Sequence, residues 1–372
     1  MTLVPHLSMM PPLPFRPYVQ RPARKLPFPL DNPRCRIFSL ARQGLFVGIK
    51  ALGLEEGDEI LVPAYHHSSE VEALVQAGIV CRFYEGGPLL EPNEKELETL
   101  LNPRVRALHL IHYLGFPQDA ARWRAWCDEH NLLLIEDAAQ ALLSSRDGTP
   151  VGSHGDLSIF CIYKTFGLPD GAAVISNFPP ERPLPPKADL GMTRTATRHG
   201  LYLMQRWGWL AEVTRRLRGA GTNKDTDKAD PERDYALGDF KHGASTITRF
   251  LIPRVTDPAA QDARATNYTL LRRRLKRFVP EPFAHLPIGA SPFAFPIQSN
   301  RKEEVIAQLA QQGILAANFW AVPHPCLQVT NFPRAEALRK SIVALPVHQE
   351  LGTRELEWIV NVVLGTLEPK QP

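Results

Sequence analysis

Long apolar runs are missing from this 372-residue chain. No stretch approaches the roughly 18–20 consecutive apolar residues of a transmembrane helix, so none is expected. One-sided charge is missing too: 43 basic residues face 39 acidic ones, for a net charge of +4. A nucleic-acid binder with one strongly basic face is not indicated. Cysteine is scarce, with five residues at 35, 81, 127, 161 and 326. The number is odd and no CxxC spacing occurs, which speaks against a disulfide framework or zinc site and fits a reducing cytoplasm. No carboxylate or histidine pair has a metal-ligand spacing, so no metal is expected. Internal repeats are absent. A chain that is 44% hydrophobic and 22% charged excludes wholesale disorder, collagen and coiled coil.

Proline, by contrast, is abundant: 35 residues, about twice the usual ~5%. Nine fall within the first 33 positions, between Pro5 and Pro33. This segment is neither a helix nor a central strand. It reads as an extended arm or a disordered leader. It lacks the apolar core and small-residue cleavage site of a signal peptide.

From about residue 34 the pattern becomes regular. Helices are expected at 39–54, 68–76, 94–101 and 119–130. Between them lie apolar strands at 60–63, 79–84, 105–113, 132–137, 157–163 and 171–176. Alternating helices and wholly apolar strands mark a mainly parallel α/β sheet covered on both faces. A proline-rich break follows at 178–186. Next comes a basic helical stretch, 193–218, read as a solvated helix whose Trp207 and Trp209 pack on the main domain; facing a nucleotide diphosphate or an anionic membrane surface is the sharper alternative. A polar loop, 219–243, is expected to be mobile. A long helix at 258–277 leads into a smaller α+β unit with a strand at 292–297 and helices at 302–312 and 353–365. The organisation is thus an arm (1–34), a large domain (35–250, with the insertion at about 187–243) and a small domain (251–372).

Three segments carry chemistry. In LLLIEDAAQ, Asp137 ends an apolar strand, where ligands of open α/β sheets gather. A half-buried carboxylate there needs a cationic or hydrogen-bonding partner, although Asp also suits a helix cap. In FCIYKTFGLPDGAAV, Lys164 follows a buried strand. Loss of solvation would lower the pKa of such an amine and make it nucleophilic; a solvated loop lysine is the plainer reading. In SLARQGL a helix begins, offering free N–H groups and Arg42 to a phosphate.

Taken together, these segments resemble the DegT/DnrJ/StrS family of pyridoxal-phosphate-dependent sugar aminotransferases. The resemblance also rests on ALGLEEGDEILVPAYHHSSEVEALVQAG (51–78), HYLGFPQD (112–119), VGSHGDLSIF (151–160) and ALPVHQEL (344–351). It implies the type-I fold of aspartate aminotransferase. It also implies pyridoxal or pyridoxamine phosphate as cofactor, a homodimer, an amino donor such as glutamate and a nucleotide-linked keto sugar. By position, Lys164 would hold the cofactor aldehyde, Asp137 the ring nitrogen and Gln140 the ring hydroxyl. His67 would stack on the ring. Ala41 and Arg42 replace the family's Ser-Gly-Thr phosphate turn, and Cys161 replaces a phosphate-binding serine. His348 falls near the family's substrate mouth. Arg249, with Thr248, is the best counterpart of an Asn-x-Arg segment that reaches a partner subunit. The resemblance also covers a relative that dehydrates sugars with His in place of this Lys. Two other outcomes fit the residues: transamination of a non-sugar ketone, and a non-catalytic protein on the same fold.

Overall fold

The computed structural model describes residues 4–176, 184–186, 191–211, 213 and 236–368. Seven strands form the central sheet. Their order is Cys35–Phe38, Ala172–Ser176, Leu157–Cys161, Leu133–Asp137, Val105–Ile111, Glu59–Pro63 and Val80–Tyr84. Ala172–Ser176 runs antiparallel to both neighbours, and the other pairings are parallel. Every residue of Glu59–Pro63 and Leu157–Cys161 is buried, as apolar strands with helices on both faces require.

Helix Ala41–Ala51 lies close on this sheet because two of its residues have no side chain. A Cβ at Gly44 would sit 2.2 Å from Val174 Cγ2, and one at Gly48 would sit 2.5 Å from Leu157 Cδ1. The close approach brings the helix N-terminus to the carboxyl end of Leu157–Cys161. On the opposite face, Trp123 and Trp126 of helix Ala120–Glu129 pack with Leu108 and Leu134.

The small domain holds a three-stranded antiparallel sheet in the order Ala294–Gln298, Ile342–Pro346, Ala317–Asn318. Helices Lys302–Gln311 and Thr353–Leu367 cover it, with Val305, Leu309, Ile359 and Val363 in its core. The 250/251 boundary falls inside helix Thr246–Val255, whose Leu251 and Ile252 pack with Phe160 and Ala173 of the large domain.

From residue 4 the proline-rich segment is an extended arm packed across both domains. Leu7–Ser8 pairs in parallel with Ile314–Leu315 of the small domain. Leu7 and Leu13 are fully buried. Phe15 stacks on His199 at 4.3 Å between ring centroids, and Ala23 N–H donates to Pro253 O at 2.6 Å.

His199 belongs to helix Met192–Arg206, the described core of the basic stretch. Its packing partner is the arm. Trp207, where this helix ends, and Trp209 are 49% and 54% exposed, so neither is fully packed on the main domain. Most of the loop expected to be mobile, through residue 235, lies outside the described residues, as does most of the proline-rich break.

Candidate active site

Parallel register brings three strand ends together. Ile111 pairs with Asp137, and Asp137 pairs with Ile159. The last of these strands ends at Cys161, and the chain turns at once into helix Ile162–Phe166, which carries Lys164. The apolar run LSIFCIY thus yields a strand two residues shorter than its composition suggests. The helix closes at Gly167 (φ 65°), where a Cβ would lie 2.3 Å from the Pro11 carbonyl of the arm. Across the strand ends stand the N-termini of helices Ala41–Ala51 and Ser68–Gln76. The arm adds Met10 and the small domain adds Trp320.

These elements enclose a cavity of about 270 Å³. Its walls contain Lys164, Asp137, Gln140, His67, Ala41, Arg42 and Cys161. The structure therefore brings seven of the nine sequence-nominated residues to one place. Asp137 is 4% exposed, and its Oδ1 accepts the Ala139 N–H at 2.8 Å. Gln140 Oε1 accepts the Leu114 N–H at 2.8 Å, which fixes the amide so that its NH₂ end remains for the cavity. His67 caps helix Ser68–Gln76: its Nδ1 accepts the Ser69 N–H at 3.2 Å. Its ring lies edge-on to Trp320, 6.5 Å between centroids.

The electrostatics differ from expectation at Lys164. Burial alone would lower its pKa, but Cys161, Tyr163, Asp137 and Glu70 surround the amine and hold it above the ordinary lysine value. Desolvation is outweighed by neighbours that favour the cation. Burial raises the Cys161 thiol, against Lys164 and hydrogen bonds from Tyr163 and the Ala41 N–H.

Two nominated residues lie elsewhere. His348 is fully buried, with Nε2 3.2 Å from the Ser8 carbonyl, and does not line the cavity. Burial, with Arg264 nearby, pushes its pKa down to about 3, so the ring is neutral packing between arm and small domain. Arg249 bonds the carbonyls of Ala244 and Leu184 and also lies off this cavity. Thr248 instead joins Ser39 and Ser245 in hydrogen-bonding the buried Asp170. Asp170 lies six positions after Lys164, directly before Gly171, and it ties helix Thr246–Val255 to the turn before helix Ala41–Ala51.

Glu70, Tyr163, Trp320 and Met10 line the cavity without having been nominated. Glu70 was legible only through its i+3 spacing from His67 on a helix start. His112 is a satisfied core residue. Its Nδ1 accepts the Gln118 N–H at 3.0 Å, and its Nε2 lies 3.0 Å from Glu136. Glu136 also accepts N–H bonds from Gly152, His154 and Gly155, so it organises the GSHG loop on the far side of the strand from Asp137. Burial alone would raise the Glu136 carboxyl, but the bonds from His112, Gly152 and His154 hold it below its usual value.

The donor set fits pyridoxal phosphate. An amine suits its aldehyde, a carboxylate its ring nitrogen and an amide NH₂ its hydroxyl. A helix N-terminus with Arg42 suits its phosphate. Among the described residues no cluster of three metal-binding side chains occurs.

Comparison with known proteins agrees with this chemistry. Residues 30–180 match the DegT/DnrJ/EryC1/StrS aminotransferase family. A GDP-perosamine synthase of Vibrio cholerae is 35% identical over 136 residues, 36% of this chain and 37% of that protein. That match spans little more than a third of its relative's length. A UDP-N-acetyl-3-dehydro-alpha-D-glucosamine 3-aminotransferase of Acidithiobacillus ferrooxidans is 25% identical over 339 residues, 87% of this chain and 81% of that one. The structure of Helicobacter pylori PseC, an aminotransferase involved in the biosynthesis of pseudoaminic acid, superposes with a TM-score of 0.68. It covers 97% of this chain and 99% of that one at 18% identity, a likeness of fold. Sequence match, fold and donor set are thus in accord with the DegT/DnrJ/EryC1/StrS aminotransferase family, whose model this chain matches over residues 30–180.

Proposed function

We propose that this aminotransferase uses pyridoxal phosphate to move an amino group from an amino acid, with glutamate the favoured donor, to a nucleotide-linked keto sugar. The observation that carries the reading is the Lys164 amine sharing one enclosed cavity with Asp137 and an oriented Gln140. The relatives named above as GDP-sugar and UDP-sugar enzymes support the substrate class. Synthesis of a polysaccharide or glycoside, a cytoplasmic setting and a symmetric homodimer belong to the same proposal.

When bound, the cofactor supplies an aldehyde that captures the donor's amine and a ring that takes up the electrons released there. Asp137 favours a protonated ring nitrogen, because its carboxylate is buried and held at one oxygen by the Ala139 N–H. Gln140 offers N–H to the ring hydroxyl. Lys164 anchors the aldehyde and, once displaced, is placed to take a proton from the substrate carbon and return it. The neighbouring Asp137 carboxylate, which favours the Lys164 cation, also favours this proton uptake. Met10 and Trp320 close the cavity and exclude water.

The test is spectroscopic and then kinetic. Purified protein given pyridoxal phosphate should develop a visible band that borohydride converts to a stable adduct on Lys164. Lys164→Ala should abolish the adduct and slow the half-reaction with glutamate by about a thousandfold, the scale of a lost general base. Full half-reaction activity in that variant overturns the reading. A panel of keto sugars and simple ketones separates the sugar substrate from a non-sugar one.

A further inference from the structure

We propose that Arg339 is a positioning residue: its buried guanidinium reaches from the small domain, ties the backbones at His66 and Trp320 together, and so sets two aromatic walls of the cofactor cavity, His67 and Trp320. The proposal rests on the cofactor reading above.

Arg339 lies in the last turn of helix Pro333–Ser341 and is 2% exposed. Its Nη1 donates to Trp320 O at 2.6 Å and to His66 O at 3.1 Å, and its Nη2 donates to Ala64 O at 2.6 Å. Ala64 and His66 belong to the segment that leaves strand Glu59–Pro63 and delivers His67 to the cavity. Trp320 is the small domain's contribution to the same cavity. A guanidinium holds its donors in one plane at fixed spacing, so the three carbonyls are fixed relative to one another. The His66 carbonyl shares its peptide plane with the His67 N–H, which donates to Glu70 Oε1 at 3.3 Å. That peptide is thus gripped on both sides.

Two observations separate this clamp from ordinary packing. The first is charge. Arg339 is buried as a cation, yet its hydrogen-bond partners are neutral carbonyls, so an apolar side chain would fill the space with less loss of stability. The second is strain. Trp320 has a φ of 49°, left-handed geometry that a bulky side chain rarely adopts. Such a conformation persists only where the surroundings hold it, and Arg339 holds its carbonyl. The indole then stands edge-on to His67 and tilted against Tyr65 and Tyr113, 5.2 and 5.5 Å between centroids. Further along the loop, Ser68 Oγ donates to Val322 O at 2.6 Å, and His324 Nε2 lies 2.7 Å from Glu72 Oε2. Those contacts fasten the loop to helix Ser68–Gln76, whereas Arg339 meets the carbonyl of Trp320 itself.

The experiment compares wild type with Arg339→Lys, Arg339→Gln and Arg339→Met in the full chain, well below each melting temperature. Two quantities are read: the dissociation constant for pyridoxal phosphate and the circular dichroism of the bound cofactor's visible band, which reports how the ring is held. Methionine keeps much of the volume and none of the donors. It should weaken binding about tenfold, the order expected when a preorganised wall is lost, and reduce the dichroic band. Lysine and glutamine keep part of the donor set and should fall between methionine and wild type in both quantities. If methionine fails to fold, these two decide: each should bind at least about threefold more weakly than wild type, with a reduced band. A packing role alone would lower the melting temperature and leave affinity or dichroism unmoved in the folded variants, and that result overturns the proposal. So does a methionine variant that binds more tightly than lysine and glutamine. If the wild type itself forms no borohydride adduct on Lys164, the cofactor reading has failed instead.

Discussion

Single residues set the chemistry by what stands next to them. Lys164 and Asp137 were legible because each follows an apolar strand, and a parallel sheet must bring such ends together. Cys161 was legible by position, but its role depends on neighbours no sequence displays: it lines the cavity beside Ala41 and Tyr163. A serine there would donate more strongly than a thiol. Cys161→Ser should tighten pyridoxal phosphate binding by about threefold, within the scale of one hydrogen bond. Equal or weaker binding in a titration would show that the side chain does not reach the phosphate. His348 was misread for a similar reason. It was nominated only by its place in the family resemblance, yet the arm covers it through the Ser8 carbonyl and it does not line the cavity.

At the scale of elements, the central sheet was readable because its strands are apolar throughout and spaced by helices. Less was readable where the signal was mixed. Helix Thr246–Val255 contains Pro253, which breaks the helical pattern even though the residue sits in its last turn. The short strand Cys35–Phe38 follows a proline and carries Arg36, so it lacks the apolar run of its neighbours. The arm is the sharpest case. Proline content excluded regular structure but could not tell a packed strap from a loose one. Leu13, fully buried beside Phe166 and Leu168, decides for the strap. Leu13→Ala should cost about 2–4 kcal/mol in urea unfolding, as deletion of buried methyl groups does. A loss well under 1 kcal/mol would mean that the arm is not part of the core.

For the molecule as a whole, acid is the exposed weakness. His66, His109 and His348 are buried, and in each case burial pushes the imidazole below its usual value of 6.5. Arg339 and Arg264 add to this at His66 and His348. Below pH 6.5 the unfolded chain takes up protons that the folded one refuses. Stability therefore falls as pH drops from 6.5 towards about 3, the value for His348. Above 6.5 these groups contribute no slope. Urea midpoints measured across this range should decline on the acid side, and His348→Gln should shallow the decline. A midpoint independent of pH would show that the rings titrate alike in both states.

The strap also dictates an order of assembly. Leu7–Ser8 finds its strand partner only at Ile314–Leu315, and Ser8 meets His348 further still along the chain. During synthesis those partners emerge about three hundred residues after the arm, so the arm must wait for them. Pairings this distant in sequence close slowly, because loop entropy is lost before the contact is gained. The sheet and its Lys164 pocket can form while Met10 is still unplaced. Enclosure of the cavity therefore depends on contacts of the longest sequence separation in the described structure.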